Sequence, residues 1–143
     1  MTNAINLVQT TLTSEIVFEG IGLHSGTPAR LVLRPIPASS GIAFRRVDLT
    51  GYPTIQAAWG NVTVSPLNTR LQNEDGVTVS TIEHLMAALS GCGVHNVLVD
   101  IDGPEVPILD GSAAVFVRGI VETGITRLSA CLLYTSPSPR DRG

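Results

Sequence analysis

The order of the predicted elements indicates an α+β protein, with an antiparallel-rich sheet covered on one face by two helices. Segments with strand-like patterning fill the first eighty residues, and the two segments with helical periodicity come afterwards, separated by an apolar strand. With 43% hydrophobic and 15% charged residues, a chain of 143 residues is long enough to bury a core of its own.

The strand predictions rest on alternation of apolar and polar side chains and on the position of turn residues. Asp75-Gly76, between two short apolar runs, predicts a hairpin turn. Residues 94–101 are almost continuously apolar, which is typical of a central strand. The remaining strand candidates are residues 12–18, 29–34, 41–47 and 54–64.

Residues 80–89 predict the first helix and contain the most informative pair of side chains. The apolar residues recur at helical spacing, and Glu83 and His84 lie off the apolar face. A carboxylate beside an imidazole suits a metal hydrolase. The alternative is that Ser80 and Glu83 form a capping box and His84 faces water. The apolar face consists of Ile82, Leu85, Met86 and Leu89.

The second predicted helix follows a proline-rich loop. Ser112 is a natural N-cap, and Gly124 predicts the C-terminal end, as Gly91 and Gly93 do for the first helix. The apolar face of the second helix consists of Ala113, Phe116, Val117 and Ile120.

Charge and composition exclude some classes of function. The formal net charge is −3, and all nine basic residues are arginine, so nucleic-acid binding is not expected. No apolar run reaches the length of a membrane span, and residues 1–10 lack the features of a secretory signal. The cysteines Cys92 and Cys131 have no metal-binding or redox spacing. These features predict a cytoplasmic protein without a transmembrane segment.

Three blocks of sequence, in this order and at this spacing, resemble one known family. They are residues 19–26 (EGIGLHSG), residues 80–89 (STIEHLMAAL) and residues 104–114 (PEVPILDGSAA). They are similar to the N-terminal half of UDP-3-O-acyl-N-acetylglucosamine deacetylase, the zinc amidase of lipid A biosynthesis in Gram-negative bacteria. The resemblance also includes residues 33–35, residues 44–49 and the strand that ends at Asp100, and it covers about residues 10–130.

The resemblance implies a mechanism for removing the N-acetyl group from a UDP-linked, 3-O-acylated glucosamine. His84 would be a zinc ligand, and Glu83 would be the general base, free of the metal so that it can accept a proton. A catalytic zinc site needs three protein ligands and one open position. In the family the other two ligands come from a His-x-x-x-Asp pair in a second domain, which would be missing here. Iron(II) also suits these ligands.

Further site residues follow from the resemblance. Four residues would border the substrate and would either bind it or support the metal ligands: Leu23, His24, Leu67 and Asn68. Asp110 precedes the second helix, where a carboxylate more often binds backbone donors than takes part in catalysis.

The resemblance also predicts the organisation of the chain. Residues 1–130 would form an N-terminal deacetylase domain, and residues 131–143, rich in Ser, Pro and Arg, would form a non-native or disordered tail that resembles translated sequencing-adapter sequence. The second domain would be missing, so this chain alone would have little or no activity, while the full-length enzyme would be a cytoplasmic monomer. Two alternatives are a non-catalytic α+β interaction module and a nucleic-acid-binding module, the latter disfavoured by a pI of about 5.5.

Overall fold

A computed structural model describes the backbone of residues 5–134 and the side chains of residues 8–129. The described range contains ten strands, two helices and one short 3-10 turn. The strands are β1 (Ile5–Leu12), β2 (Ile16–Ile21), β3 (Pro28–Pro35), β4 (Ile42–Arg46), β5 (Thr54–Gln56), β6 (Val62–Val64), β7 (Thr69–Gln72), β8 (Thr78–Ser80), β9 (Val97–Ile101) and β10 (Ile125–Tyr134). The helices are α1 (Glu83–Gly91) and α2 (Ala114–Thr123), and the 3-10 turn is Trp59–Asn61.

The strands form three sheets, and antiparallel pairing dominates. The largest sheet has the order β2-β3-β9-β4-β5, and only its β4–β9 pair is parallel. Strands β6, β7 and β8 form a small sheet, and β1 pairs with β10. The predicted α+β class is confirmed. The prediction of a central strand within residues 94–101 is also confirmed, since Val97, Val99 and Ile101 of β9 are completely buried.

The helices bury their apolar faces against the core. Leu85 and Leu89 of α1 are completely buried, as predicted from the helical spacing. On α2, the ring of Phe116 meets Phe18 of β2 edge to face, with the ring centroids 4.9 Å apart. Gly119 lies beside this pair and allows the helix to approach the sheet closely. Neither α1 nor α2 has the length and hydropathy needed to cross a membrane.

Two predicted strands differ from the structure. The single strand expected over residues 12–18 is broken, because the exposed residues 13–15 turn the chain from β1 into β2. The strand expected over residues 54–64 is interrupted by the 3-10 turn. Strand β10 extends to residue 134, and the domain boundary at residue 130 stays a prediction. Residues 135–143 lie outside the described residues, so the interpretation of that segment as a tail stays a prediction.

The predicted N-caps are wrong. Ile82, not Ser80, is the N-cap of α1, and no side chain caps it. Ser80 ends β8 instead, and its backbone bonds to Pro104 and Val106. Ala113 is the N-cap of α2, one residue later than predicted. Both predicted helix ends are confirmed: α1 ends at residue 91, and Gly124 closes α2 with a φ of 98°.

Candidate active site

An extended segment brings the first and third of the three sequence blocks together with the start of α1. Gly22, at the end of β2, forms an antiparallel bridge with Pro107, and Ser80, at the end of β8, forms a parallel bridge with Glu105. The backbone N–H of Ile108 donates to the carbonyl of Ile21 at 2.9 Å. Residues 104–108 therefore lie between the loop that follows β2 and the segment that leads into α1.

The carboxylate of Glu105 is the centre of this arrangement. It is only 3% exposed, and it accepts hydrogen bonds from the backbone N–H groups of His24 (3.0 Å) and Ser25 (2.7 Å). The hydroxyl of Thr81 and the Nδ1 atom of His24 (2.8 Å) also bind it. Burial raises the pKa of Glu105, but the hydrogen bonds from Thr81, Ser25 and His24 outweigh it and lower the pKa to about 2. Glu105 is therefore an anion at neutral pH.

The imidazole of His24 is held by this anion. An ionised carboxylate can only accept, so Nδ1 of His24 carries a proton and donates to Glu105. The Nδ2 atom of Asn68 lies 3.4 Å from the same ring nitrogen, so the structure brings these two predicted site residues together. The ring is 35% exposed, and among the described residues its Nε2 atom has no hydrogen-bond partner. That nitrogen is open to a ligand.

Thr81 connects this cluster to α1 through an unusual backbone conformation. Its φ is +61°, which is strained for a β-branched residue, and its side chain is buried. Its backbone N–H donates to the carbonyl of Thr69 at 2.8 Å, and the N–H of Ile82 donates to the same oxygen at 3.3 Å. These bonds fix the turn after β8 and thereby the direction in which α1 begins.

Glu83 and His84 occupy the first two positions of α1, and both are half-buried. The Oε1 atom of Glu83 lies 3.4 Å from the backbone nitrogen of Thr69, which donates to it. Glu83 also borders a cavity of about 300 Å³ with a mainly apolar lining. His84 has no hydrogen-bond partner among the residues that the structure describes, so its imidazole is available for a ligand. The rest of the lining consists of Ala57, Trp59, Val62, Thr69, Leu71, Ile82 and Met86.

The described residues do not complete a metal site. Nowhere between residues 8 and 129 do three His, Cys, Asp or Glu side chains converge in a way that could hold a metal ion. A catalytic zinc needs three protein ligands, so this part of the chain does not fit a whole zinc centre. The role of His84 as one zinc ligand stays a prediction.

The other predicted residues lie at the edges of the site or away from it. Leu23 and Leu67, next to His24 and Asn68 in the sequence, are 59% and 74% exposed. Asp110 is exposed, and its Oδ1 atom accepts from the backbone N–H (3.0 Å) and the hydroxyl (2.8 Å) of Ser112. The backbone bond from Ser112 is the main cause of its lowered pKa. Asp110 therefore shapes the turn before α2 and has no described contact with His24 or Glu83.

Sequence reasoning missed Glu105 and Thr81. Glu105 stands between prolines, beside Val106, and a lone charge in such an apolar extended segment is the signal that marks it. Thr81 carried no comparable signal, because its left-handed conformation follows from the surrounding hydrogen bonds.

Comparison with known proteins places the chain in a family of deacetylases. The matching family model is that of UDP-3-O-acyl N-acetylglycosamine deacetylase, which covers residues 9–136, and the chain belongs to this family. The predicted resemblance is thus confirmed.

Relatives named UDP-3-O-acyl-N-acetylglucosamine deacetylase show the extent of the similarity. The protein of Geotalea uraniireducens is 52% identical over 126 residues, which are 88% of this chain and 41% of the relative. The protein of a Geobacter species is 53% identical over 119 residues, 83% of this chain and 39% of the relative. The protein of Photobacterium profundum is 46% identical over 122 residues, 85% of this chain and 40% of the relative. The chain therefore spans about two fifths of the length of these relatives.

Proposed function

We propose that this chain is the part of a UDP-3-O-acyl-N-acetylglucosamine deacetylase that supplies the general base. The substrate would be a UDP-linked, acylated N-acetylglucosamine, and the reaction would serve lipid A biosynthesis in the cytoplasm of a Gram-negative bacterium. One observation carries the proposal: a chain of this family has a carboxylate and an imidazole at consecutive positions at the start of α1, and the carboxylate borders an apolar cavity.

Glu83 is suited to the role of general base. Among the described residues it forms no salt bridge, and a single long contact from the backbone N–H of Thr69 orients its carboxylate. A carboxylate in this state can take a proton from the attacking water and pass it to the leaving nitrogen.

His84 would be one of three zinc ligands, and the others would come from the part of the relatives' length that this chain does not span. Zinc, when bound, would supply Lewis acidity toward the amide carbonyl and the attacking water. A single imidazole does not make a catalytic site, so the 143-residue chain by itself should show little or no deacetylase activity.

The loops around His24 and Asn68 would contact the substrate. The Nε2 atom of His24 has no hydrogen-bond partner among the described residues, and Leu23 and Leu67 offer exposed apolar surface at the rim. Polar groups beside apolar side chains match a ligand that combines a sugar nucleotide with an acyl chain. Asp110 would support this region indirectly, through the turn before α2.

A chimaera tests the proposal. In the Geotalea uraniireducens deacetylase, the segment matched by this chain is replaced by this chain's own residues, and release of acetate from the UDP-sugar substrate is measured. We expect turnover by the chimaera, and near-complete loss in its Glu83→Ala variant with the zinc content unchanged. His84→Ala should lower the zinc content itself.

The matched control is Glu122→Ala, which removes an exposed glutamate from the other helix and should leave turnover unchanged. If Glu83→Ala retained the full turnover of the chimaera, the general-base proposal would be wrong, and the non-catalytic interaction module would be the better interpretation.

A further inference from the structure

The carboxylate of Glu105 accepts hydrogen bonds from two separate segments of the chain. Four donors converge on its two oxygens: the backbone N–H groups of His24 and Ser25, the imidazole Nδ1 of His24 and the hydroxyl of Thr81. These donors belong to two segments that are more than fifty residues apart in the sequence, the loop after β2 and the turn before α1. Each of these segments carries residues of the candidate active site.

We propose that Glu105 is a positioning residue of the deacetylase, which holds His24 as the Nδ1-protonated tautomer and ties the His24 loop to the start of α1. The inference rests on the proposed function, because it assigns a role to residues of the same site. Glu105 is not one of the residues that line the cavity, and among the described residues it forms no hydrogen bond with Glu83, so its proposed role is exerted through other side chains.

The first part of this role concerns the ring nitrogens of His24. In a neutral imidazole, a proton on one nitrogen leaves the other as an acceptor, and the partner of the first nitrogen decides which tautomer forms. The 2.8 Å contact to Glu105 keeps the proton on Nδ1. The open Nε2 atom is then an acceptor, suited to a substrate hydroxyl or amide N–H group. Without Glu105, the ring would return to the Nε2-protonated form that free histidine prefers.

The second part concerns the geometry of α1. Glu105 binds the hydroxyl of Thr81, the backbone N–H of Thr81 binds the carbonyl of Thr69, and the N–H of Thr69 contacts Glu83. This continuous series of hydrogen bonds joins His24 to the proposed base. The strained φ of Thr81 is maintained by the same bonds. Glu105 therefore sets the position of the His24 ring relative to the first turn of α1.

The experiment uses the chimaera, labelled with 15N-histidine. The imidazole signals of His24 are assigned by their absence in a His24→Ala variant. At a pH where the ring is neutral, we expect the 15N shifts of the Nδ1-protonated tautomer, and in Glu105→Gln a shift of the population toward the Nε2-protonated tautomer. The control is Asp102→Asn, which changes an exposed carboxylate three residues away that accepts from the backbone N–H of Arg30. Asp102→Asn should leave the tautomer unchanged.

Kinetics separate positioning from simple stabilisation. We expect Glu105→Gln to lower kcat/KM about tenfold or more, as loss of a partner that orients a functional imidazole does. In a His24→Ala background the same change should cost much less, because Glu105 acts largely through His24. An equal loss in both backgrounds would overturn the proposal.

The wild-type tautomer gives a test that does not depend on any variant of Glu105. An Nε2-protonated His24 in the unmodified chimaera would refute the proposed role even if Glu105→Gln failed to fold. This measurement needs no turnover. An inactive chimaera with the Nδ1-protonated tautomer would therefore count against the deacetylase assignment, whereas an active chimaera with the other tautomer would count against Glu105 alone.

Discussion

Gly22 lies directly against the buried carboxylate of Glu105. A Cβ atom on Gly22 would come within 2.6 Å of Oε1 of Glu105 and within 2.4 Å of Oγ of Ser25, closer than such atoms approach in proteins. Gly22 also closes the loop after β2, since it donates to the carbonyl of Thr27 and accepts from the N–H of Gly26, both at 2.9 Å. The absence of a side chain at this position is what allows the anion to reach the loop backbone.

Gly22→Ala should destabilise the chain because the carboxylate of Glu105 cannot move freely. The carboxylate is fixed by its four donors, and the expected loss in the free energy of unfolding is about 1–3 kcal/mol, the usual cost of overpacking. Urea denaturation measures it. The control is Gly60→Ala, where an added Cβ meets nothing within 4 Å. Equal stability of the two variants would contradict the proposed close approach.

Glu105 should make the chain sensitive to acid. Its pKa falls from the ordinary value of 4.5 to about 2 on folding. Because the pKa of Glu105 is lower in the folded state, its ionisation stabilises the folded state at pH values above the pKa of the unfolded state. This stabilisation is lost as the pH falls from about 4.5 to about 2. The shift corresponds to roughly 3 kcal/mol. The free energy of unfolding should decrease less between pH 6 and pH 2.5 in Glu105→Gln than in the wild type. An equal decrease in the two proteins would show that this carboxylate is not the cause.

Asp100 should be a second important carboxylate, away from the site. It is 4% exposed on β9, with the Nε atoms of Arg34 and Arg45 both 2.6 Å from its oxygens. Burial raises its pKa, but the hydrogen bonds from Arg45 and Arg34 outweigh that effect and lower it. Asp100→Asn should reduce the free energy of unfolding by about 1–3 kcal/mol, because charge-assisted hydrogen bonds are lost. Asp75→Asn, in the exposed hairpin turn, is the control and should change stability by less than about 0.5 kcal/mol.

Gly119→Ala should disturb the packing of α2 on the sheet. A Cβ at this position would lie 2.7 Å from the ring of Phe18, which is itself packed against Phe116. We expect a loss of about 1–3 kcal/mol in the free energy of unfolding, although alanine is the better helix former. Gly91→Ala on α1 is the matched control, since an added Cβ there meets open space. Equal free energies of unfolding for Gly119→Ala and Gly91→Ala would contradict the close approach of Phe18 to α2.

The sequence by itself determined the features that depend on local pattern. The apolar spacing within residues 80–89 predicted α1, Gly124 predicted the end of α2, Asp75-Gly76 predicted the β7–β8 hairpin, and residues 94–101 predicted a central strand. The three sequence blocks were enough to indicate the family. Each of these signals lies within a few consecutive residues, where periodicity and turn chemistry act directly.

The tertiary structure alone decided what depends on contacts between distant segments. Ser80 looked like a helix cap, but its backbone pairs with residues 104–106, so it ends a strand. The contact between Glu105 and His24 was not predicted, because the two residues lie 81 positions apart in the sequence. No pattern in the intervening chain indicates that they are close in space. Burial of a charge requires several donors at once, and those donors come together only when the chain folds. For that reason the positioning of the candidate site is a property of the fold, although most of its residues are recognisable in the sequence.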